Sequence, residues 1–352
     1  MVPPASSCAP LASSLSVSCR ASRTWPLWPP RRKARARLRW TKCRCRTPKS
    51  RSSAAGEAAR RLMASKVAPD DTFLLRGADG EEIAGDLYLP AGEGSPPLVL
   101  ILHGFKGFKH WGFFPTLARG LADNGIAAAA VSLSHCGVHG DTDLFNRLDL
   151  FERDTWGKRL FDLRQVVEAA ARGLLTDKCE LDRTRLGLFG HSMGGGLGVL
   201  YAARDPRIRA LVTLAAISTP NRFPPAEVDA HLKAYGHMKL TNARTGQEMR
   251  VGRSFFEEVS SNPEAFDIRR AASRLEVPWL LIHGVDDQSV AFEESLALLE
   301  AANSNGLGGA NTRLLSIENT DHVLGTRHPF RRRTAEFVQA VDAALDFFNK
   351  HL

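Results

Sequence analysis

A serine between two apolar runs is the feature that most restricts how this chain folds. The stretch LFGHSMGGGLGVL, residues 188–200, places Ser192 in a Gly-His-Ser-Met-Gly pattern between a strand-like run and a helix-like run. Side chains at the glycine positions would collide in so sharp a turn, and the turn exposes the serine hydroxyl at a helix N-terminus. The pattern therefore predicts an elbow that presents a nucleophile. A glycine-rich turn with a spectator serine is the structural alternative.

Apolar runs of strand and helix length alternate on both sides of this elbow. Such alternation predicts an α/β fold with a mostly parallel sheet covered by helices on both faces. Two strands around an Ala-Asp-Gly turn are expected at 71–90. Further strands are expected at 97–104, 126–134, 185–190, 208–216, 278–284 and 312–317, and helices at 113–125, 155–173, 193–204, 295–302 and 331–351.

Residues 217–272 interrupt the alternation. A hairpin is expected at 239–251, followed by a helical segment, and an insertion of this size late in a sheet most simply forms a lid. Its phenylalanines have two interpretations that the sequence leaves open. They line a pocket for an acyl group, or they form the small core of the lid itself; they are Phe223, Phe255 and Phe256.

The positive charge of the chain is concentrated at its N-terminal end. Residues 1–62 hold 15 of the 47 basic residues and one of the 38 acidic residues, although the whole chain is only +9. The folded domain, expected at 63–352, is therefore mildly acidic, and we expect no nucleic-acid surface on it. For the basic tail, a transit peptide, a disordered basic arm and an untranslated extension before Met63 all remain open.

Cysteine usage and hydropathy favour an unanchored protein of a reducing compartment. Four of the six cysteines lie in the basic tail, which leaves Cys136 and Cys179 and no disulfide framework. We expect a cytoplasmic protein, or an organellar one if the tail is a transit peptide. No apolar run is long enough to cross a membrane. The histidines and aspartates of residues 134–143 lack a ligand spacing, so no metal is expected.

Four stretches together carry a resemblance to a known family. They are HGFKGFKHWGFFP, GHSMGGG, HGVDDQSV and TDHVL, and over about residues 70–352 the chain resembles the α/β-hydrolases. Within that superfamily it is similar to small carboxylesterases of the dienelactone-hydrolase and cinnamoyl or feruloyl esterase type. Those enzymes carry a compact lid between the sixth and seventh strands.

The resemblance implies the partners of Ser192, because in this fold the acid and then the histidine follow the nucleophile along the chain. The family pattern H-G-x-x-D-x-x-V selects Asp287, with its neighbour Asp286 as the alternative. His322 follows the strand at 312–317 and is the expected base. His328 is a second candidate, but it lies close to the last helix.

The resemblance also implies an oxyanion hole made of two backbone N–H groups. One belongs to Met193, directly after the nucleophile, and the other to Phe105, directly after the strand at 97–104. His103 and His191 are expected to have structural roles.

The function predicted from the sequence is hydrolysis of carboxylic esters of small or aromatic acyl groups through an acyl-enzyme, without a cofactor. Aminopeptidase or thioesterase chemistry with the same triad is the alternative, as is a protein that only binds. An aminopeptidase would need acidic side chains for the substrate's amino group, and the insertion offers Glu227, Asp229, Glu257 and Glu258. The oligomeric state is not predicted.

Overall fold

An eight-stranded sheet organises the computed structural model, which describes residues 67–304 and 311–352. Its strand order is β1-β2-β4-β3-β5-β6-β9-β10, and β7 pairs with β8 as a separate hairpin. Strand β2 runs antiparallel to both of its neighbours, β1 and β4, and the other neighbouring pairs of this sheet are parallel. The strands are β1 Asp71–Arg76, β2 Glu82–Tyr88, β3 Leu98–Leu102, β4 Ala127–Ser132, β5 Leu186–His191, β6 Ile208–Leu214, β7 His237–Thr241, β8 Glu248–Gly252, β9 Trp279–Gly284 and β10 Thr312–Ile317.

Helices cover both faces of this sheet, as the alternating apolar runs predict. One hydrophobic layer packs α1 and α9 against the sheet, and the opposite layer contains α3, α4 and α8. The helices are α1 Phe114–Asp123, α2 Leu148–Glu152, α3 Trp156–Arg172, α4 Met193–Ala202, α5 Pro225–Tyr235, α6 Arg253–Ser261, α7 Ile268–Ala272, α8 Phe292–Asn303 and α9 Ala335–His351. The predicted α/β architecture is confirmed.

The strand order creates a crevice at the carboxyl edge of the sheet. The chain passes from β3 to β4 on one side and then returns to β5 on the other side of β3. In open α/β sheets, ligands bind where the strand order reverses in this way. The loops that follow β3, β5, β9 and β10 all emerge at this edge, because these strands are parallel.

The insertion, residues 217–272, contains α5, the β7–β8 hairpin, α6 and α7. The predicted hairpin is confirmed. Two contacts attach the insertion to the N-terminus of α3. The Glu258 carboxylate on α6 accepts hydrogen bonds from Gly157 N at 2.9 Å and Thr155 Oγ1 at 3.1 Å. The indole N–H of Trp156 donates to the carbonyl of Pro220 at 3.0 Å.

A buried carboxylate on α3 holds together two loops under the crevice. Asp162 accepts hydrogen bonds from Ala78 N at 2.8 Å, Ser134 N at 2.8 Å and Ser134 Oγ at 2.7 Å. Its side chain is 1 % exposed, so water does not replace these bonds. The loop that starts at Ser134 borders the crevice, and Asp162 therefore supports the shape of that edge.

We expect Asp162→Ala to lower the free energy of unfolding by roughly 3 kcal/mol, because the buried N–H groups of Ala78 and Ser134 lose their acceptor. Urea unfolding followed by fluorescence measures this loss. The control is Asp177→Ala, which removes an exposed carboxylate and should change stability by no more than about 0.5 kcal/mol. Equal unfolding midpoints for the two variants would contradict the prediction.

Candidate active site

Ser192 joins β5 to α4 in a strained backbone conformation. Its φ is 56° and its ψ is −119°, a region that residues with a side chain rarely adopt. Surrounding hydrogen bonds hold it there. Ser192 N donates to the Leu214 carbonyl at 2.9 Å, and the Ser192 carbonyl accepts from Gly195 N at 2.9 Å. The elbow thus has the geometry that presents a hydroxyl at a helix N-terminus.

Two glycines flank the elbow because side chains do not fit there. A Cβ on Gly190 would lie 2.4 Å from the Gly194 carbonyl oxygen. A Cβ on Gly194 would lie 2.4 Å from the Leu102 carbonyl oxygen and 2.6 Å from that of His103. These are backbone atoms of α4, of β3 and of the loop after β3, which cannot rotate away as a side chain can.

We expect Gly194→Ala to destabilise the protein by roughly 3 kcal/mol, because the strand, the loop after it or the helix must shift. The matched control is Gly198→Ala in the same helix, where the nearest atom is a Leu211 side-chain methyl at 3.1 Å. That variant should stay within about 1 kcal/mol of the parent, since alanine favours the helix. Urea unfolding compares them, and equal stabilities would show that the elbow tolerates a side chain.

His322 lies against a buried carboxylate. Its Nδ1 is 2.7 Å from Asp287 Oδ2, across the loops that follow β10 and β9. Asp287 Oδ1 accepts hydrogen bonds from Ser289 N at 2.7 Å and Val290 N at 2.9 Å. The carboxylate is therefore fixed on one side by its own loop and presents its other oxygen to the imidazole.

A second imidazole contacts the same carboxylate, and sequence reasoning assigned it no role. His283 Nε2 lies 3.2 Å from Asp287 Oδ2 and 2.9 Å from the Val290 carbonyl, while Nδ1 is 2.6 Å from Ser295 Oγ. Burial alone would raise the pKa of Asp287, but hydrogen bonds from His283 and His322 lower that pKa well below its usual range. The histidine four residues before the aspartate was the available signal.

The other candidates lie apart from this pair. Asp286 is exposed. Asp321 accepts hydrogen bonds within its own loop, from Val323 N and Gly325 N. His328 accepts a hydrogen bond from Gly112 N at 2.8 Å, and its Nε2 is 3.2 Å from Asp143. The structure thus places Asp287, and not its neighbour, against His322.

The residue before the serine touches the residue expected to act as its base. His191 Nε2 is 3.0 Å from the His322 carbonyl oxygen, and the two rings are 4.6 Å apart. The other side of the His191 ring stacks on Trp111, with centroids 5.9 Å apart. Burial lowers the pKa of His191 to about 3, so this imidazole is neutral near pH 7. These contacts bring the segments of Ser192 and His322 together at the crevice.

The loop after β3 passes directly over the serine. A Cβ on Gly104 would lie 3.0 Å from Ser192 Cβ. His103 fixes the loop, with Nδ1 2.8 Å from the Gly104 carbonyl and Nε2 accepting from Leu133 N at 3.3 Å. Within residues 67–304 and 311–352, the N–H groups of Phe105 and Met193 and the Ser192 hydroxyl form no hydrogen bond. None of the three groups has a partner in these ranges, and the Ser192 hydroxyl is therefore not hydrogen-bonded to His322.

An aromatic cluster connects this loop to the insertion. The Phe105 ring lies 5.3 Å from that of Phe151 and 6.1 Å from that of Phe223. Phe223 in turn is 5.8 Å from Phe256, which contacts Phe255 at 5.3 Å. Phe255 is buried, whereas Phe223 is half-buried. The buried side chains of the insertion belong to the hydrophobic layer that also contains α3 and α4, and its aromatic surface reaches the expected oxyanion loop.

In the described ranges, no group of three or more histidine, cysteine or acidic side chains is arranged to hold a metal ion. No helix in the same ranges is long and apolar enough to span a bilayer. The predictions for residues 1–62 lie outside the described residues.

An elbow serine at the carboxyl edge of a mostly parallel, helix-covered sheet defines the class of α/β-hydrolase folds. The profile of the alpha/beta hydrolase family matches residues 98–341, and the chain belongs to this family. The resemblance seen in the sequence is thereby confirmed.

Sequence relatives include proteins named as an esterase and as a peptidase. Esterase YjfP of Escherichia coli is 26% identical over 270 residues, which cover 75% of this chain and 93% of the relative. The uncharacterised peptidase YuxL of Bacillus subtilis is 26% identical over 278 residues, which cover 78% of this chain but 38% of the relative. Both names support a hydrolase.

Solved structures share the fold at low sequence identity. Est1E from Butyrivibrio proteoclasticus is 19% identical, with a TM-score of 0.56 over 80% of this chain and 98% of its own. A puromycin-hydrolysing peptidase of Mycobacterium tuberculosis is 20% identical, with a TM-score of 0.54 over 80% of this chain and 39% of its own. These likenesses show the α/β-hydrolase fold.

Proposed function

We propose that the protein is a serine hydrolase that cleaves carboxylic esters of small or aromatic acyl groups. Ser192 is the nucleophile, His322 the general base and Asp287 the residue that orients the base. The observation that carries the proposal is the 2.7 Å contact between His322 Nδ1 and the buried Asp287 carboxylate. His322 lies in a loop whose backbone also contacts His191, the residue that precedes the elbow serine.

The reaction follows from this arrangement. Ser192 Oγ attacks the ester carbonyl carbon while His322 Nε2 takes the hydroxyl proton. Asp287 accepts the Nδ1–H hydrogen bond, which selects the correct tautomer and stabilises the imidazolium. The N–H groups of Phe105 and Met193 bind the oxyanion of the tetrahedral intermediate. His322 then gives its proton to the leaving alcohol.

The acyl-enzyme is hydrolysed by the reverse sequence of proton transfers. Water attacks the acyl carbon, His322 takes a proton from that water, and Ser192 recovers its hydroxyl as the acid leaves. The aromatic cluster of Phe105, Phe223 and Phe256 supports an apolar or aromatic acyl group, since such rings stack on a planar substrate. This chain supplies every group that the cycle uses.

Peptidase chemistry is the second candidate, because peptidases occur among the relatives. An aminopeptidase would need a carboxylate to bind the substrate's amino group. Glu258 already accepts hydrogen bonds at the N-terminus of α3. The other acids considered, Glu227, Asp229 and Glu257, are exposed on the insertion. The arrangement therefore favours ester substrates.

A labelling experiment combined with a substrate panel tests the proposal. A fluorophosphonate probe should modify Ser192, identified by peptide mapping, and p-nitrophenyl cinnamate should compete with the probe. The panel compares p-nitrophenyl acetate and cinnamate with an aminoacyl p-nitroanilide. Turnover of the anilide alone would replace the esterase with a peptidase. A protein that neither labels nor turns over any substrate would be a binding protein on a hydrolase fold.

A further inference from the structure

A lysine beside the expected oxyanion donor has no acidic partner among the described residues. Lys106 directly follows Phe105, and its side chain is half-buried. Within residues 67–304 and 311–352, its ammonium forms no ion pair or hydrogen bond. It faces the Phe105 ring, whose centroid lies 5.8 Å from Nζ. At that distance a cation–π contact is weak and offsets little of the cost of burying a charge.

Other lysines near the same edge of the sheet are neutralised. Lys109 lies 2.5 Å from Asp86, and Lys158 lies 2.8 Å from Asp79. Burial lowers the pKa of Lys106, and no neighbouring carboxylate acts against that shift. A half-buried ammonium without a counter-ion is unusual, because a buried charge is ordinarily paired. A bound anion would supply the partner that the described residues do not.

The backbone holds Lys106 in a fixed place relative to the serine. Its φ is 57°, in the left-handed region that residues with a side chain seldom occupy. Gly104, two residues earlier, passes within contact distance of Ser192. Phe105, between them, joins the aromatic cluster that reaches the insertion. The backbone that carries the ammonium is therefore held one residue from a group expected to touch the reacting carbonyl.

We propose that Lys106 binds an anionic group of the substrate, so that the enzyme prefers esters that carry a carboxylate. This inference rests on the proposed esterase function and adds the substrate class to it. A carboxylate bound there would gain a charge-assisted hydrogen bond in a site partly shielded from water. The same charge would position the ester over Ser192 without taking part in bond making or breaking.

Two pairs of esters, matched except for charge, test the preference. On the acyl side, the p-nitrophenyl monoester of terephthalate is compared with the p-nitrophenyl ester of p-toluate. On the alcohol side, p-acetoxybenzoate is compared with its methyl ester. The readout is kcat/KM for the anionic ester divided by kcat/KM for the neutral ester, so that a general loss of activity cancels. In one of the two pairs we expect kcat/KM to be about tenfold or more higher for the anionic ester than for the neutral ester. That pair shows whether the bound charge lies on the acyl side or on the alcohol side of the substrate.

Variants of Lys106 make the test specific. Lys106→Met should abolish the preference, Lys106→Arg should restore most of it, and Lys106→Glu should reverse it. All three retain a Cβ, so the backbone strain is the same in each. Lys233→Met, which removes an exposed lysine of the insertion, is the control and should leave the ratio unchanged. The preference should also shrink in high salt, because ions screen a partly exposed charge.

The outcomes separate this inference from the proposed function. If Lys106→Met lost activity equally on both esters, the inference would be overturned and the charge would be assigned to the oxyanion. A parent enzyme without any preference for the anionic ester would also overturn the inference. If no ester is turned over, the proposed function fails first. Calorimetric binding of the same esters to the Ser192→Ala variant then decides the matter. Tighter binding of the anionic ester, lost on adding Lys106→Met, supports the inference, and equal binding refutes it.

Discussion

Replacing Ser192 with alanine should lower kcat on p-nitrophenyl acetate by about 10⁴-fold or more, because removal of a nucleophile leaves only the binding site and the oxyanion donors. The fold should be retained, since an alanine side chain fits wherever a serine side chain does. Initial rates at saturating ester give kcat, and the fluorophosphonate probe should no longer modify the elbow peptide.

A serine near the site serves as the control for that substitution. Ser289 is exposed and contributes a backbone N–H, but not its hydroxyl, to Asp287. Ser289→Ala should therefore keep its rate within about twofold, since surface substitutions of this kind change energies little. If Ser192→Ala hydrolysed the ester as fast as the parent, another group would be the nucleophile and the proposed function would fail.

Replacing Asp287 with asparagine should lower kcat by about 10⁴-fold, because an amide in place of the carboxylate favours the wrong tautomer of His322. Asp287 accepts hydrogen bonds from its own loop and from two imidazoles. An amide has the same shape as the carboxylate but only one accepting oxygen, so it does not replace the carboxylate. Rates at saturating ester, with circular dichroism to confirm folding, measure the effect.

The adjacent Asp286 is a natural control, since it differs from Asp287 chiefly in exposure. Asp286→Asn should keep nearly full activity. If the two variants lost activity equally, the 2.7 Å contact with His322 would not be the catalytic one.

The same substitution has a pH signature in stability. The folded-state pKa of Asp287 is held below the value of about 3.9 expected in an unfolded chain. The ionised carboxylate thus stabilises the fold above that unfolded value, and the stabilisation declines as the pH falls toward the folded pKa. The stability gap between parent and Asp287→Asn should be wider at pH 7 than at pH 3.

Local patterns determined most of the scaffold. Uninterrupted apolar runs predicted the buried strands, because a strand covered on both faces needs apolar side chains at every position. By contrast, α5 was not predicted. Only Val228 of that helix is buried, so the sequence carries no apolar stripe that would reveal it. The short helices α2 and α7 were not predicted either, because each is too short for a helical hydrophobic periodicity to be recognised.

The amino-acid sequence by itself determined the class of the protein and the position of the elbow, because the Gly-x-Ser-x-Gly pattern occupies five consecutive residues and Gly190 is required by its contact with Gly194 in the same turn. Only the tertiary structure decided that Asp287, which the family pattern had selected, lies against His322, that His283 shares this carboxylate, and that Lys106 lacks a counter-ion among the described residues. Each of these depends on which side chains from distant loops come within a few ångströms, and on how much water the fold excludes around them. Spacing along the chain encodes neither quantity.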